Sequence, residues 1–295
     1  MSTSATTVRP QPAAAADGGT HQRTTLRRHA LAPSSARGLL LTVMGELQLP
    51  TGAAVWTSAF LEVLGRLGVA PGTARQALNR TAAAGWLTPE RVGRRTRWRI
   101  SPAGERLLSE GSTRIYGFAG PDEAWDGRWL VVLASVPEAD RAGRHFLRSR
   151  LTWAGLGNPA PGVWVGTHAA RLAEVEDILA RAGAAGGAQV FVAEHAGPTP
   201  VASLAAAAWD LAAIDRAYGE FLAEFAEAAT DDPLRRVVEL VHAWRRFPWS
   251  DPALPGVLLP EGWRGAAAAR LFHDRHDRWS GPATESWARI AAGGG

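Results

Sequence analysis

The sequence predicts an α+β protein built in three parts, and three patterns lead to this prediction. Residues 34–118 contain three short amphipathic helical segments followed by an arginine-rich pair of strands. Over residues 119–200, apolar segments of strand length alternate with helical segments. Residues 201–295 carry strongly amphipathic helical patterns. Residues 1–33, which are rich in Ala, Thr, Ser and Pro, predict a disordered tail.

Three predicted helices open the first part. Ser34 or Ser35 is placed to cap the first helix, ARGLLLTVMGELQL, and Thr57 or Ser58 to cap the second. The third helix, TARQALNRTAAAG, turns small apolar side chains to one face and gathers polar side chains one turn apart on the other. This polar patch consists of Arg75, Gln76, Asn79 and Arg80.

A basic hairpin follows the third helix. Segments 87–92 and 96–100 read as strands, and Gly93-Arg94 fits a two-residue loop between them. Pro89 places the first strand at a sheet edge, because proline cannot donate to the ladder. Three helices, this hairpin and a further helix, which Ser101 is placed to cap, predict a winged helix-turn-helix. The hairpin arginines that we single out are Arg91, Arg94, Arg95 and Arg97.

The side chains of the hairpin and the third helix match the chemistry of double-stranded DNA. Residues 75–106 hold eight arginines against two acids, Glu90 and Glu105. Cations on a projecting hairpin suit phosphates, whereas on a helix Arg pairs with guanine and Asn or Gln with adenine. We therefore predict operator DNA as a partner. Two alternatives stay open: a solvated charged face, or a winged helix that binds an acidic protein.

The middle part alternates strands and helices. The apolar segment WLVVLASV predicts a buried strand at 129–136, and two further strands are predicted at 162–167 and 189–195. Helices are predicted at 138–154 and 170–183. This order indicates a ferredoxin-like α/β sandwich, whose fourth strand the sequence leaves unplaced. We interpret LGNPAPG, with its two prolines, as a turn between strands.

The last part predicts a helical domain. Its helical segments are 208–229, 233–247 and 265–279, and a loop rich in Pro, Trp and Gly separates the last two. An arginine pair flanked by Trp244 and Trp249 offers a cation beside an aromatic platform, although arginine stems packed on the domain are an equally good interpretation.

Arginine and tryptophan side chains outside the DNA-binding part are the candidates for an effector site. An arginine stripe on the 138–154 helix suits the phosphates of a ligand or of DNA, with a solvated helix face as the alternative. The thirteen tryptophans are mostly expected in the core, with a few lining an aromatic pocket. The predicted effector-binding residues are Arg144, Arg148, Trp153, Trp164, Arg245 and Arg246.

Composition narrows the classes of function. The chain has no cysteine, which excludes disulfides and thiolate catalysis. No apolar segment approaches the roughly 18 residues of a membrane helix, and residues 1–30 lack the apolar region of a secretory signal. We therefore expect a cytoplasmic protein without a membrane partner. The common hydrolase, zinc-protease and nucleotide-binding motifs are absent, so we predict neither an enzyme nor a cofactor.

One cluster near the C-terminus has the residue types of a metal site. His273, Asp274, His276 and Asp277 follow one another closely on a predicted helix. A zinc site needs three or four ligands, and no third partner stands at a recognisable spacing. The cluster therefore predicts salt bridges, and we predict no metal.

Long motifs, in order along the chain, resemble one family. They include ARQALNRTAAAGWL and RVGRRTRWRISPAGERLL in the first part, WDGRWLVVLASVPE and WAGLGNPAPGVWVGTH in the middle, and DPALPGVLLPEGWRGAAAARLFHDRHDRW near the end. Over residues 34–279 the chain is similar to the PaaX family of transcriptional regulators. This resemblance implies a homodimeric repressor of phenylacetate catabolism genes, released from DNA by phenylacetyl-CoA or a related aryl-CoA.

The resemblance also implies a central domain like the small CRISPR-associated ferredoxin-fold nuclease. Nucleases of that fold carry an acidic metal ligand at the end of the first strand, where this chain reads Ala134-Ser135-Val136-Pro137, so we do not expect nuclease activity. A nucleic-acid-processing enzyme targeted by the winged helix is the alternative function. A regulator of another pathway with a different ligand is a further alternative, and the residues do not decide between repression and activation.

Overall fold

The computed structural model describes residues 35–118, 125–227 and 230–293. The predicted tail, 1–33, lies outside the described residues. The chain combines helices with two antiparallel sheets, which confirms the α+β class. None of the helices in the described ranges is long and apolar enough to cross a membrane.

The N-terminal unit, residues 35–118, contains four helices and a three-stranded sheet. The first helix continues into a π-helical turn, Met44–Gln48, and a short 3-10 turn, Leu49–Thr51. The sheet order β1-β3-β2 leaves β2 at an edge, as its Pro89 predicts. The elements are α1 (Ala36–Val43), β1 (Val55–Trp56), α2 (Thr57–Arg66), α3 (Pro71–Ala83), β2 (Leu87–Val92), β3 (Arg95–Ile100) and α4 (Pro102–Tyr116).

The helix caps of this unit agree only in part with the sequence predictions. Ser35 and Ser101 each accept a hydrogen bond from the backbone three residues on, which confirms both as N-caps. The prediction for α2 is wrong, because Trp56 occupies its N-cap and makes no side-chain cap bond. Thr57 instead accepts a hydrogen bond from the Trp98 indole at 2.9 Å and donates one to the Thr96 carbonyl, so its hydroxyl joins α2 to the hairpin.

The core of the N-terminal unit is shared with the C-terminal helices. Leu40, Phe60 and Leu78 are completely buried in it, and Trp98 closes it from the hairpin. Trp287, near the end of the chain, packs in the same cluster with its ring centroid 5.9 Å from that of Phe60. Burying these side chains together stabilises the contact between the two ends of the chain.

The central unit, residues 125–200, has the order βαββαβ. Its four strands form an antiparallel sheet in the order β5-β6-β4-β7. The two helices bury Leu147, Leu151 and Val175 against one face of this sheet, while Trp129 and Val165 on the other face pack against the next helix of the chain. The elements are β4 (Arg128–Leu133), α5 (Arg141–Trp153), β5 (Gly157–Ala160), β6 (Val163–Gly166), α6 (Leu172–Arg181) and β7 (Gln189–Glu194).

The fourth strand lies in the segment that the sequence predicts as a turn. Gly157–Ala160 forms β5 at the edge of the sheet, paired with β6 through an irregular register, so the turn interpretation of LGNPAPG is wrong. Pro159 is compatible with this edge because the strand needs no regular ladder there. The Asn158 amide donates to the carbonyls of Ala160 and Val163 at 2.8 and 2.6 Å, which closes the turn inside the hairpin.

The C-terminal unit is helical, as predicted, with an aromatic core. Trp244 is fully buried there and stacks on Phe272 at 4.7 Å between ring centroids. The last helix extends well beyond the predicted segment 265–279 and contains Pro282. The elements are α7 (Val201–Ala208), α8 (Leu211–Phe225), α9 (Pro233–Trp244), α10 (Phe247–Ser250) and α11 (Gly265–Gly293).

Candidate nucleic-acid interface and inter-domain cavities

Helix α3 presents a polar face to solvent. Ala74, Ala77 and Leu78 anchor the opposite face in the core and are at most 3% exposed. The Thr81 hydroxyl, also buried, donates to the Ala77 carbonyl at 2.8 Å, so it carries no unsatisfied polar group into the core. The four side chains of the polar face, all exposed, are Arg75, Gln76, Asn79 and Arg80.

The arginines of the β2–β3 hairpin are of two kinds: some are exposed, and one is paired with a carboxylate. Arg91 and Arg94 lie exposed at and beside its tip. Arg95 is also exposed, and its guanidinium lies 5.2 Å from the ring centroid of Trp56. Arg97 donates to Glu90 at 2.8 Å, so the charge of this predicted DNA-binding residue is partly compensated.

The Glu90 carboxylate, on β2, forms ion pairs with two arginines of β3. Arg99 donates to its second carboxylate oxygen at 2.7 Å. Hydrogen bonds from Arg99, and then from Arg97, hold the pKa of the Glu90 carboxyl below its usual range. The hairpin therefore keeps Glu90 ionised, and its outward positive charge comes chiefly from the arginines near the tip.

Arg37 is a cation beside the α3 polar face that sequence reasoning missed. Its guanidinium lies 4.7 Å from the ring centroid of Trp86. Burial, and then the charge of Arg80, lower the pKa of Arg37. The only sequence signal was an arginine in the first turn of a helix, and its proximity to Arg80 depends on the packing of α1 against α3.

Two adjoining cavities lie where the three units meet. The first encloses about 340 Å³ between α1, α4 and the C-terminal unit. Leu41, Leu107, Leu108 and Ile115 supply much of its apolar wall. The second encloses about 240 Å³ between α4, the end of α5 and the loop after α10. The first volume is within the range of small-molecule sites, roughly 300–1,000 Å³.

Three side chains form a common wall of the two cavities. Trp153 from the end of α5 packs on Trp249 from α10, with ring centroids 4.5 Å apart. The guanidinium of Arg114, on α4, lies 3.9 Å from the Trp249 ring centroid and donates twice to the Pro248 carbonyl, at 3.0 and 2.8 Å. Burial, and then the positive charge of Arg171, lower the pKa of Arg114.

Comparison with known proteins places all three units in one family. The model described as PaaX-like protein matches residues 35–104, the PaaX protein central Cas2-like domain matches 122–205, and the PaaX-like protein C-terminal domain matches 209–289. The chain is 30% identical over 260 residues to the transcriptional repressor PaaX of Escherichia coli (strain K12), covering 83% of this chain and 81% of that protein. The chain belongs to the PaaX family.

A solved structure has a similar fold to this PaaX family member. The uncharacterized protein Rv0674 from Mycobacterium tuberculosis superposes with a TM-score of 0.63 at 26% sequence identity. The match covers 86% of this chain and 99% of that one.

The residues predicted for an effector are brought together only in part. Trp153 lines both cavities of this PaaX family member, and Arg245 lines the first. Trp164 is buried in the core of the central unit, and Arg246 donates to the Ala217 carbonyl within the C-terminal unit, so neither reaches the cavities. Arg144 and Arg148 are exposed on α5 and line neither cavity.

Buried polar groups join the PaaX C-terminal unit to α1 and the π-helical turn. Arg245, 6% exposed, donates to the Gly38 carbonyl at 2.9 Å and to the Thr42 hydroxyl at 3.0 Å, and burial lowers its pKa to about 10. Glu46, in the π-helical turn, accepts a hydrogen bond from Tyr116 and contacts His276 Nε2 at 2.7 Å. His276 thus serves an inter-unit contact, and Asp274 of the same cluster pairs with Arg275.

Proposed function

We propose that this protein is a homodimeric transcriptional repressor that binds operator DNA and is released from it by an aryl-CoA. The observation that carries the proposal is the exposed set of two arginines, an asparagine and a glutamine on α3, beside a hairpin with exposed arginines. Arg and the two amides are the side chains that read guanine and adenine in the major groove. The name of the Escherichia coli relative, a transcriptional repressor, supports the same class of function.

The folds proposed for the first two units follow from their element order. Three helices followed by the β2–β3 hairpin suit a winged helix-turn-helix, with α3 in the major groove and the hairpin on the backbone. The βαββαβ order with strands β5-β6-β4-β7 suits a ferredoxin-like sandwich. The proposed base-reading residues are Arg75, Gln76, Asn79 and Arg80, and the proposed phosphate or minor-groove residues are Arg91, Arg94, Arg95 and Arg97.

The regulated genes are proposed to form an aromatic, phenylacetate-type catabolic operon. An effector releases the repressor only if it binds the DNA-free conformation more tightly than the DNA-bound one. In a dimer, a small change in the separation of the two α3 helices is enough, because each must meet a half-site one helical turn from the other. Of the predicted effector residues, Trp153 and Arg245 are retained in this proposal because they line the cavities.

A fluorescence-anisotropy titration tests this function. The duplex upstream of the protein's own gene is titrated with protein in excess nonspecific DNA, without and with phenylacetyl-CoA. We expect specific binding that the CoA ester weakens. Specific binding that the ester leaves unchanged would retain the DNA-binding function and contradict the effector, whereas absence of specific binding would contradict the proposal for this duplex.

The central unit supports a regulator without nuclease activity. The segment that follows β4 reads Ala134-Ser135-Val136-Pro137 and offers no carboxylate for a metal. Metal-dependent phosphodiester cleavage requires such ligands to hold the ion. We expect no magnesium-stimulated cutting of operator DNA under the conditions of the titration, and robust cutting would favour a nucleic-acid-processing enzyme instead.

The Arg94→Ala variant is expected to bind all DNA sequences more weakly by a similar factor. Arg94 lies exposed in the hairpin loop, where it suits a phosphate contact rather than a base contact. Loss of one phosphate contact reduces the slope of log K against the logarithm of the salt concentration by about 0.9. Anisotropy titrations at several salt concentrations measure the slope, with Arg181→Ala, an exposed arginine of α6, as the control. An unchanged slope would remove Arg94 from the interface.

A further inference from the structure

The walls of the first cavity suit an uncharged aromatic or acyl group. Trp86, Trp153 and Trp249 line it together with leucine and isoleucine side chains. Among the charged residues that line it, Glu46 is engaged by Tyr116 and His276, and Arg245 donates to α1. Arg114, in the wall shared with the second cavity, packs on Trp249 and donates to the Pro248 carbonyl. Glu110 is exposed. The chemistry left facing the cavity is therefore mainly apolar and aromatic, as in most small-molecule sites.

The second cavity is cationic. Arg114 and Arg171 both line it, and no ion pair within 4.0 Å is formed by either of them in the part of the chain that the structure describes. Glu174, exposed on α6, offsets their repulsion only in part. The carboxylate of Asp251 also lines this cavity, but one of its oxygens accepts from Tyr218 at 2.6 Å and the other from the Ala253 amide at 2.7 Å. An anion between the two guanidinium groups would relieve their mutual repulsion.

We propose that the two cavities together form one ligand site, in which the first holds an aromatic acyl group and the second holds an anionic group attached to it. Arg114, Trp153 and Trp249 lie between the two compartments and contact both parts of such a ligand. This inference rests on the proposed function and names the site through which it is regulated. A free aryl acid carries its anion beside the aromatic group, whereas a CoA thioester carries its phosphates at the far end of the pantetheine arm, so the two sources place the anion differently relative to the two compartments.

The site is coupled to the DNA-binding hairpin through the π-helical turn. Gly45 and Glu46 of that turn line the first cavity. The turn ends at Gln48, a completely buried side chain whose amide donates to the Ala53 carbonyl at 3.1 Å and to the Trp98 carbonyl of β3 at 2.8 Å. π-helical turns are frequent at functional sites. We expect a ligand that displaces Glu46 to shift the base of the hairpin through this turn.

Gly111 allows the first compartment to be filled without disturbing the core. It lies inside α4 and lines the cavity, and a Cβ atom built on it meets no other atom within 4 Å. The Gly111→Trp variant places an indole in the cavity, and Gly111→Ala is the matched control that raises helix propensity without filling it. Arg171→Gln removes one of the two cationic side chains of the second compartment and leaves the lining of the first unchanged.

The test uses two fluorescent probes on the full chain: 1-anilinonaphthalene-8-sulfonate, which is anionic, and N-phenyl-1-naphthylamine, which lacks the sulfonate. We expect Gly111→Trp to lower the affinity for both probes at least about tenfold relative to Gly111→Ala. We expect Arg171→Gln to lower only the affinity for the anionic probe, by about tenfold. Unchanged affinity of both probes in Gly111→Trp, or equal losses of the two probes in Arg171→Gln, would overturn the two-compartment site.

Competition then identifies the source of the ligand. Displacement of the anionic probe by phenylacetate or by phenylacetyl-CoA supports the site and distinguishes the free acid from the thioester, while displacement by neither overturns its assignment to an aromatic acyl ligand.

Operator binding is measured on the same variants. Loss of probe binding in Gly111→Trp with wild-type operator affinity separates the ligand site from the DNA interface, and a wild-type chain that binds the probes but no operator contradicts the proposed function alone.

Discussion

Replacing Arg75 or Asn79 by alanine is expected to weaken operator binding by about 1–3 kcal/mol, roughly 5- to 150-fold, and to relax the sequence preference at one base pair each. Both side chains are exposed on α3 one turn apart, while the helix itself is anchored by buried residues of the opposite face. A bidentate contact of this kind discriminates between bases, so its loss affects the specific complex more than the nonspecific one.

Anisotropy titrations with the operator and with single-base variants measure this loss. Arg270→Ala, which removes an exposed arginine from α11, is the control for a change in net charge alone. The Arg75 variant is expected to lose discrimination at a guanine and the Asn79 variant at an adenine. Equal weakening on every duplex would assign the two side chains to phosphate contacts, and wild-type affinity in both variants would remove the α3 polar face from the interface.

The Trp244→Ala variant is expected to lower the free energy of unfolding by about 3–5 kcal/mol. Trp244 is fully buried and packs against Tyr218, Phe221, Phe247 and Phe272. Its indole also donates to the Ile115 carbonyl at 3.1 Å, which holds the end of α4 against the C-terminal unit. Truncation therefore leaves both a large cavity and a buried carbonyl without its donor.

Urea unfolding followed by circular dichroism and by tryptophan fluorescence measures the loss, and coincident transitions justify a two-state treatment. Trp244→Phe is the matched control, since it keeps an aromatic ring but removes the hydrogen bond. It is expected to cost about 1–3 kcal/mol, the cost of leaving a buried acceptor without its partner. A loss below about 1 kcal/mol for the alanine variant would contradict the central place of Trp244 in this core.

The DNA-binding candidate was predictable because its signals are local. The polar face of α3 follows from side chains three and four residues apart, and the hairpin follows from two alternating segments around Gly93. Both patterns depend on neighbours in sequence, which occupy the same positions relative to one another in any helix or hairpin. The pairing of Arg97 and Arg99 with Glu90 crosses between two strands and became visible only with their register.

Local reasoning failed where tertiary contacts replaced the usual pattern. The segment 157–160 looks like a turn because it contains glycine and proline, yet it forms an edge strand because β6 supplies the partner. The start of α2 has two good capping residues, yet Thr57 bonds to the hairpin instead. For Thr57 a partner distant in sequence outweighs the local propensity, whereas β5 pairs with the next strand along the chain and joins a sheet that only the fold assembles.

The sequence by itself determined the α+β class, the family resemblance and the exposed polar face of α3, since these depend on periodicity and on motifs that are continuous along the chain. Only the tertiary structure decided where a ligand fits. Arg114, Trp153 and Trp249 come from three different units and meet through packing, and none of them stands out by its spacing in the sequence. The walls of a cavity are side chains from several units, so its position depends on how the units dock and cannot be read from any single segment.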